Sequence, residues 1–137
     1  VRKSFDLQQT MHTIGISIDK VGPGFVELSM PYRQDYTQQH GFIHAGITTT
    51  ALDSACAYSA FSLMPAQAAV LTVEFKSSLL APAKGDSFKY RGNVIKSGRT
   101  LSFTEGTAWA IQGDKEVLVA SMTATIMALA ERPDLKL

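Results

Sequence analysis

The stretch that decides the architecture is Tyr36-Thr37-Gln38-Gln39-His40-Gly41-Phe42-Ile43-His44-Ala45-Gly46-Ile47-Thr48-Thr49-Thr50-Ala51-Leu52-Asp53-Ser54-Ala55-Cys56-Ala57-Tyr58-Ser59-Ala60-Phe61-Ser62-Leu63-Met64-Pro65. Its first part closes a polar, Gln-containing loop that runs from Tyr32 to Ile43. From about His44 the pattern changes: Ile47, Ala51, Leu52, Ala55, Tyr58 and Ser59 recur at helical spacing to about Leu63. Pro65 stands just past that end, where a helix must already have stopped. From Tyr36 to Val73 there are 38 residues, and Asp53 is their only Asp, Glu, Lys or Arg. A surface helix of this length carries several charges, so both faces of this one are expected to be buried.

The flanks read as strands. Upstream, Ile14, Ile16 and Ile18 alternate with Gly15, Ser17 and Asp19. Gly22-Pro23-Gly24 is a turn, Val26, Leu28 and Met30 alternate beyond it, and Pro31 ends the hairpin. Downstream, Leu71, Val73 and Phe75 alternate with Thr72, Glu74 and Lys76, and Pro82 to Asp86 is a turn. Phe88, Tyr90 and Val94 mark the next strand, and Ser97-Gly98-Arg99 is a tight connection. Leu101, Phe103, Thr107, Trp109 and Ile111 share a face of the following strand, with Trp109 expected in the core or at an interface. After a turn at Gln112-Gly113-Asp114-Lys115, Leu118, Ala120, Met122, Ala124 and Ile126 alternate in the last strand. The order is β-β-α-β-β-β-β, an α+β class in which a curved antiparallel sheet wraps one long helix. Four consecutive strands after the helix exclude a doubly wound βαβ fold.

Composition removes several function classes. The 137 residues fit one domain, expected over 1–137. With 45% hydrophobic residues and a net charge of +1, the chain is not disordered and shows no basic stripe, so no nucleic-acid partner is expected. The uncharged run Ser54–Val73 is 20 residues long, but its serines and Pro65 argue against a membrane span. No secretory signal is visible at the start. Cys56 is the one cysteine, so no intrachain disulfide can form. A single thiol fits a reducing, cytoplasmic setting.

Three segments carry a resemblance. Gln38-Gln39-His40-Gly41-Phe42-Ile43-His44-Ala45-Gly46 followed by Leu52-Asp53, then Leu71-Thr72-Val73-Glu74-Phe75-Lys76 with Ala81-Pro82-Ala83, and then Lys96-Ser97-Gly98-Arg99-Thr100-Leu101 together resemble the hotdog-fold thioesterases. The nearest group is the PaaI-like acyl-CoA thioesterases of the 4-hydroxybenzoyl-CoA thioesterase superfamily. Their pattern is an Asn or Gln, then His-Gly-Gly at the helix start, then an Asp nine residues after that His. His44 to Asp53 has this spacing, and Gln38 matches the amide. The family's His-Gly-Gly reads His44-Ala45-Gly46, which keeps the backbone N–H but adds a methyl group. The resemblance covers about Ile14 to Leu129. It implies an acyl-CoA thioesterase of hotdog fold that needs no cofactor and no metal, and that works as a homodimer or homotetramer.

The residues themselves point to chemistry. An isolated acid in a buried helix demands a partner or a task. On composition alone, Thr49, Thr50 and Ser54 satisfying Asp53 is as good a reading as catalysis; the resemblance makes Asp53 the general base or nucleophile. The Ala45 N–H lies in the first helical turn, where donors are unpaired and a developing oxyanion is stabilised. The resemblance makes Gln38 a second donor to the carbonyl, with Gln39 its neighbour in register, and Thr72 the hydroxyl that orients water beside the acid. It also places Gly46 and Pro82 against the substrate. His44 is expected to shape the helix start. Lys96, Ser97, Gly98 and Arg99 form a candidate contact for coenzyme A phosphates. Phe42, Ser54, Tyr58 and Phe61 are candidates for the acyl pocket.

Spacing adds one inference. Ala45 and Asp53 are eight residues apart on one helix, about 12 Å along its axis. One carbonyl cannot touch both, so a shared site needs two chains. Other pairings fail similarly: Cys56 and His44 are about 18 Å apart, and His40 sits in a loop, so His40 and His44 do not form a helical metal pair. His12 has no assignable role. Two rivals remain open from sequence: a non-catalytic acyl-CoA-binding protein, and a hydratase or dehydratase pairing an acid with a histidine.

Overall fold

The computed structural model describes residues 1–129; residues 130–137, part of the expected domain, lie outside the described residues. Two short helices open the chain, α1 (Arg2–Asp6) and α2 (Gln9–Ile14). The hairpin β1 (Ser17–Gly22) and β2 (Phe25–Pro31) follows, then a 3-10 turn at Gln34–Tyr36. The long helix α3 (Ala45–Phe61) leads into β3 (Ala69–Leu79), β4 (Ser87–Lys96), β5 (Leu101–Gln112) and β6 (Lys115–Leu129). All pairings are antiparallel, in the order β1-β2-β4-β5-β6-β3. Among the described residues no helix is long and apolar enough to cross a membrane.

Helix α3 touches five strands, β2 to β6. Five flat strands would span about 19 Å, against about 10 Å for a helix, so the sheet must bend around it. The bend has a steric basis. Gly92 and Gly106 are cross-strand partners on β4 and β5. A Cβ at Gly92 would lie 2.2 Å from the Ala55 carbonyl oxygen, and one at Gly106 would lie 3.0 Å from Cys56 Sγ. The helix backbone therefore rests on Gly92, which must lack a side chain, and the Cys56 and Leu52 side chains of the helix rest on Gly106. Ala108, Ala110, Ala120 and Ala124 extend this small-residue floor, all buried. At its far end, Ser62 Oγ accepts from the Gly24 N–H at 2.7 Å and ties the helix to the first hairpin turn.

Three expectations need correction. The alternation at Ile14, Ile16 and Ile18 does not form one strand: α2 runs to Ile14, Gly15 caps it in the left-handed region at φ 80°, and β1 begins at Ser17. His12, without a role in the sequence, ties α2 to α1 by donating from Nε2 to the Asp6 carbonyl at 2.7 Å. The row Leu101, Phe103, Thr107, Trp109 and Ile111 lies on the outer face, while Ser102, Thr104, Gly106, Ala108 and Ala110 face the helix. Trp109 is thus not in the core; its indole N–H donates to Thr107 Oγ1 at 2.9 Å and Arg91 stacks over its ring at 5.4 Å. Finally, a bulge between Thr72 and Glu74 breaks the β3 alternation. Thr72 pairs with Ile126 and Phe75 with Ala124, both core partners, whereas Leu71 pairs with Met127 on the outer face. Leu71, Val73 and Phe75 are all about half exposed.

The outer face carries one charged network. Glu27, only 2% exposed, accepts from Arg91 Nε at 2.7 Å and pairs with Lys89 at 3.4 Å. Arg91 also forks onto Glu116 at 2.9 and 3.1 Å. Burial pushes the Glu27 carboxyl up, but Arg91 and Lys89 outweigh it and hold it below the ordinary carboxylate range.

Candidate active site

The helix start is built by its loop. The His44 N–H donates to the Tyr36 carbonyl at 2.8 Å, and the Ile43 N–H donates to the Ala83 carbonyl at 3.0 Å. His44 is the N-cap: its Nδ1 accepts from the Gly46 N–H at 2.9 Å. The His44 carbonyl accepts from Ile47 and Thr48. The Ala45 N–H has no hydrogen-bond partner among the described residues. Capping by His44 thus consumes the Gly46 donor and leaves the neighbouring one free.

Gln38 is held by the same loop. Its Oε1 accepts from the His40 N–H at 2.6 Å and from the Phe42 N–H at 3.3 Å. Both contacts occupy the carbonyl oxygen, so the amide NH₂ is left to donate elsewhere. His40 contributes its backbone here; its neighbour Gly41 adopts φ 84° to close the turn. Gln38, His44, Ala45, Thr48, Leu80 and Pro82 line one cavity of about 500 Å³ at the helix start. Gly46 sits beside it with its N–H already capped.

The acid lies elsewhere. Asp53 is half-buried on the flank of α3, and its Oδ1 accepts from Thr72 Oγ1 at 2.7 Å. One turn earlier, Thr49 Oγ1 meets Ser77 Oγ at 3.5 Å, so hydroxyls from both elements stitch α3 to β3. Strand β3 is one of the two edges of the sheet, paired with β6 on one side only, so Asp53 sits beside a strand with a free outer side. Thr50 and Ser54, which the sequence offered as partners for the acid, point to other groups: Thr50 donates to the Gly46 carbonyl and Ser54 to Gln8 Oε1. The structure therefore separates the expected site residues into two groups within one chain. Gln38, the Ala45 N–H and Pro82 form one; Asp53 and Thr72 form the other, about 12 Å along the helix.

The turn Lys96, Ser97, Gly98, Arg99 is exposed throughout. Register places it near the acid: Leu101 pairs with Met127, which pairs with Leu71, beside Thr72. It stands two strand spacings from β3, roughly 10 Å. Cys56 is fully buried between helix and sheet, and burial pushes its thiol up to about 11. It is a packing residue, not a nucleophile at neutral pH. Among the described residues no three His, Cys, Asp or Glu side chains gather as a metal site.

A second cavity, of about 420 Å³, opens between the N-terminal helices, α3 and β3. Of the residues expected at an acyl pocket, Tyr58 and Phe61 line this cavity, Phe42 lines the first cavity and Ser54 lines neither. Ser4 and Gln8, also in its wall, were not recognised in the sequence. The helices that carry them are 5 and 6 residues long, too short for periodicity to reveal. The available signal was Gly15, a helix stop after Met11 and Ile14.

Residues 40–117, more than half of the chain, match the family model of the thioesterase superfamily. The chain belongs to the thioesterase superfamily. A thioesterase family protein from Silicibacter pomeroyi is 56% identical, with a TM-score of 0.92 over 94% of this chain and 95% of that one. Human acyl-coenzyme A thioesterase 13 is 29% identical over 92 residues, 65% of this chain and 64% of the human protein. The chain thus spans less than two thirds of that relative's length. A Bacillus halodurans protein, solved with CoA, is 21% identical with a TM-score of 0.80, covering 91% of this chain and 81% of its own. The shared architecture with these thioesterase superfamily proteins is the hotdog fold, an antiparallel sheet around one central helix.

Proposed function

We propose that this chain, as a single domain over 1–137, hydrolyses an acyl- or aryl-CoA thioester to free acid and CoA. The observation that carries this reading is the split of catalytic groups between two half-sites on one helix. Two antiparallel copies, meeting along the β3 edges, would bring the Ala45 N–H and Gln38 of one to Asp53 and Thr72 of the other. Exposed Val73, Phe75 and Leu79 on that edge supply apolar surface for the contact. Family membership supports thioester chemistry, and the CoA bound by the Bacillus halodurans protein supports CoA as carrier.

In this reading the thioester oxygen accepts from the Ala45 N–H and the Gln38 amide of one chain. Thr72 holds Asp53 of the partner in place through Oδ1, leaving Oδ2 to act. As general base, Asp53 takes a proton from water while the water oxygen bonds the carbonyl carbon. The negative charge moves to the carbonyl oxygen, where the two donors stabilise it. Collapse breaks the C–S bond, and the CoA sulfur takes the proton back from Asp53. If Asp53 instead attacks the carbonyl directly, the C–S bond breaks as a mixed anhydride forms, CoA leaves as the thiolate and takes a proton from water, and water cleaves the anhydride to regenerate Asp53. A single turnover in ¹⁸O water separates these routes: the first puts the label in the product acid, whereas cleavage of the anhydride at the Asp53 carbonyl puts it in Asp53.

The reaction as written draws only on water and on these residues. Lys96 and Arg99 give the CoA phosphates a cationic docking point. A cytoplasmic setting suits CoA thioesters and the free thiol of Cys56. The test is Asp53→Asn with a thiol-release assay. The variant keeps an acceptor for Thr72 and is expected to lose at least about 100-fold in kcat; turnover near wild type overturns the assignment. A hydratase reading is checked in the same protein by following water addition to a 2-enoyl-CoA.

A further inference from the structure

Helix α3 carries three threonines in a row, Thr48-Thr49-Thr50, within its first two turns. β-branched residues are weak helix formers, so such a run asks for a use at each position. Two positions have one. Thr49 Oγ1 meets Ser77 Oγ across the gap to β3, and Thr50 Oγ1 donates back to the Gly46 carbonyl at 2.8 Å. The Thr48 hydroxyl has no hydrogen-bond partner among the described residues.

Thr48 is nevertheless only 3% exposed, and it lines the cavity at the helix start. Among the described residues one side-chain oxygen is sealed in protein without a partner, and that is the Tyr36 hydroxyl. Thr48 Oγ1 is therefore not sealed: the little surface it keeps opens into the cavity. The walls beside it are apolar, with Phe42, Ile43, Leu79, Val119 and Ala120 among them. Valine would fill the same volume there without the cost of a desolvated hydroxyl. The hydroxyl is useful only if something polar enters the cavity and meets it.

Position narrows what that group is. Thr48 follows Ala45 by three residues, so the two share a helix face, with Cβ atoms about 5 to 6 Å apart. Helical side chains lean toward the N-terminus, which turns Thr48 toward the free Ala45 N–H. Donors so spaced, each reaching about 3 Å, suit two oxygens a few atoms apart in one ligand. A thioester oxygen and an oxygen on the third acyl carbon form such a pair.

We propose that Thr48 is a specificity residue that reads an oxygen on the third carbon of the acyl group, so that the preferred substrates are 3-oxygenated acyl thioesters. The proposal rests on the thioesterase reading, in which the Ala45 N–H holds the thioester oxygen. A plain alkyl chain of equal length leaves the Thr48 hydroxyl unpaired in its apolar wall, and the site discriminates against it for that reason.

The experiment measures kcat/KM for hexanoyl-CoA and for each enantiomer of 3-hydroxyhexanoyl-CoA, in the full chain, Thr48→Val and Thr48→Ser. In the full chain the better enantiomer is expected to exceed hexanoyl-CoA by roughly fivefold to tenfold, the worth of one net hydrogen bond. Thr48→Val is expected to bring this ratio near one, and Thr48→Ser, which keeps the hydroxyl, to retain it. The Tm of Thr48→Val is expected at or above that of the parent, because a desolvated hydroxyl is removed. A threonine that only packed would leave the ratio the same in all three proteins. No preference in the full chain, or a preference that Thr48→Val leaves intact, overturns this assignment alone. If none of the three thioesters is hydrolysed the assignment falls, and the thioesterase reading falls with it only if benzoyl-CoA and palmitoyl-CoA are inert as well.

Discussion

Thr72 Oγ1 donates to Asp53 Oδ1 at 2.7 Å, joining the edge strand to the central helix at the level of the acid. The bond fixes one carboxylate oxygen and sets the direction of the other. Thr72→Val is therefore expected to lower kcat about tenfold with little change in KM, the effect of losing one hydrogen bond to a charged group. Thr72→Ser keeps the donor and should retain most of the activity. Steady-state kinetics of the pair decides; equal activity in the Val variant removes Thr72 from the mechanism.

The Ala45 N–H can be deleted without breaking the helix. Ala45 is the first helical residue, where proline is tolerated, and His44 at φ −59° and ψ 137° already has the backbone that precedes proline. Ala45→Pro is expected to cost roughly 100-fold in kcat, as for loss of one oxyanion donor. Its circular dichroism and Tm should stay near those of the parent.

Mixing tests the composite site directly. Ala45→Pro and Asp53→Asn chains, unfolded and refolded together, form hybrids with one intact site if the halves come from different chains. Random pairing then restores about a quarter of full activity. No recovery above the separate variants means that each chain carries its own site. Val73→Asp, on the edge strand, is expected to give a monomer by light scattering, with thioester hydrolysis lost.

The Glu27 network makes an acid-range prediction. The folded carboxyl titrates below the ordinary carboxylate range, so its contribution is present above that range and is lost as pH falls through the lower folded value. Denaturant midpoints should drop more steeply in this range for the parent than for Glu27→Gln. Arg91→Met leaves a nearly buried carboxylate short of its main partner and is expected to cost about 3 kcal/mol at neutral pH.

Cys56 should be silent to alkylating reagents in the folded protein, because its thiol is buried and raised to about 11. Labelling is expected only on unfolding, read by mass spectrometry across a denaturant series.

Much of the fold could be read from the chain because its patterns are long. The 17-residue helix shows its spacing and its stop at Pro65, and strands of 10 to 15 residues are bounded by glycine turns. The errors arise where a local feature cancels a period. The Val73 bulge turns Phe75 to the other face from Leu71, and no composition signal announces a bulge. On β5 the larger side chains lie outside because the helix comes too close for them, which only the approach of Cys56 and Leu52 to Gly106 reveals. At the candidate site, His44 shapes the helix start as expected, but the Gln38 clamp, a side-chain oxygen held by two loop N–H groups, is a geometry that residue types do not encode. The second cavity depends on helices too short to show periodicity.

The open β3 edge has a consequence for the solution behaviour of this chain. On the proposed mechanism a single copy carries an acid without its oxyanion donor and a donor without its acid, beside an edge strand paired on one side only, with Val73 and Phe75 half exposed. In the composite reading, dilution below the pairing affinity extinguishes turnover while leaving each fold intact. Specific activity then rises with protein concentration until pairing saturates, so the edge strand acts as a threshold on the working abundance of the enzyme.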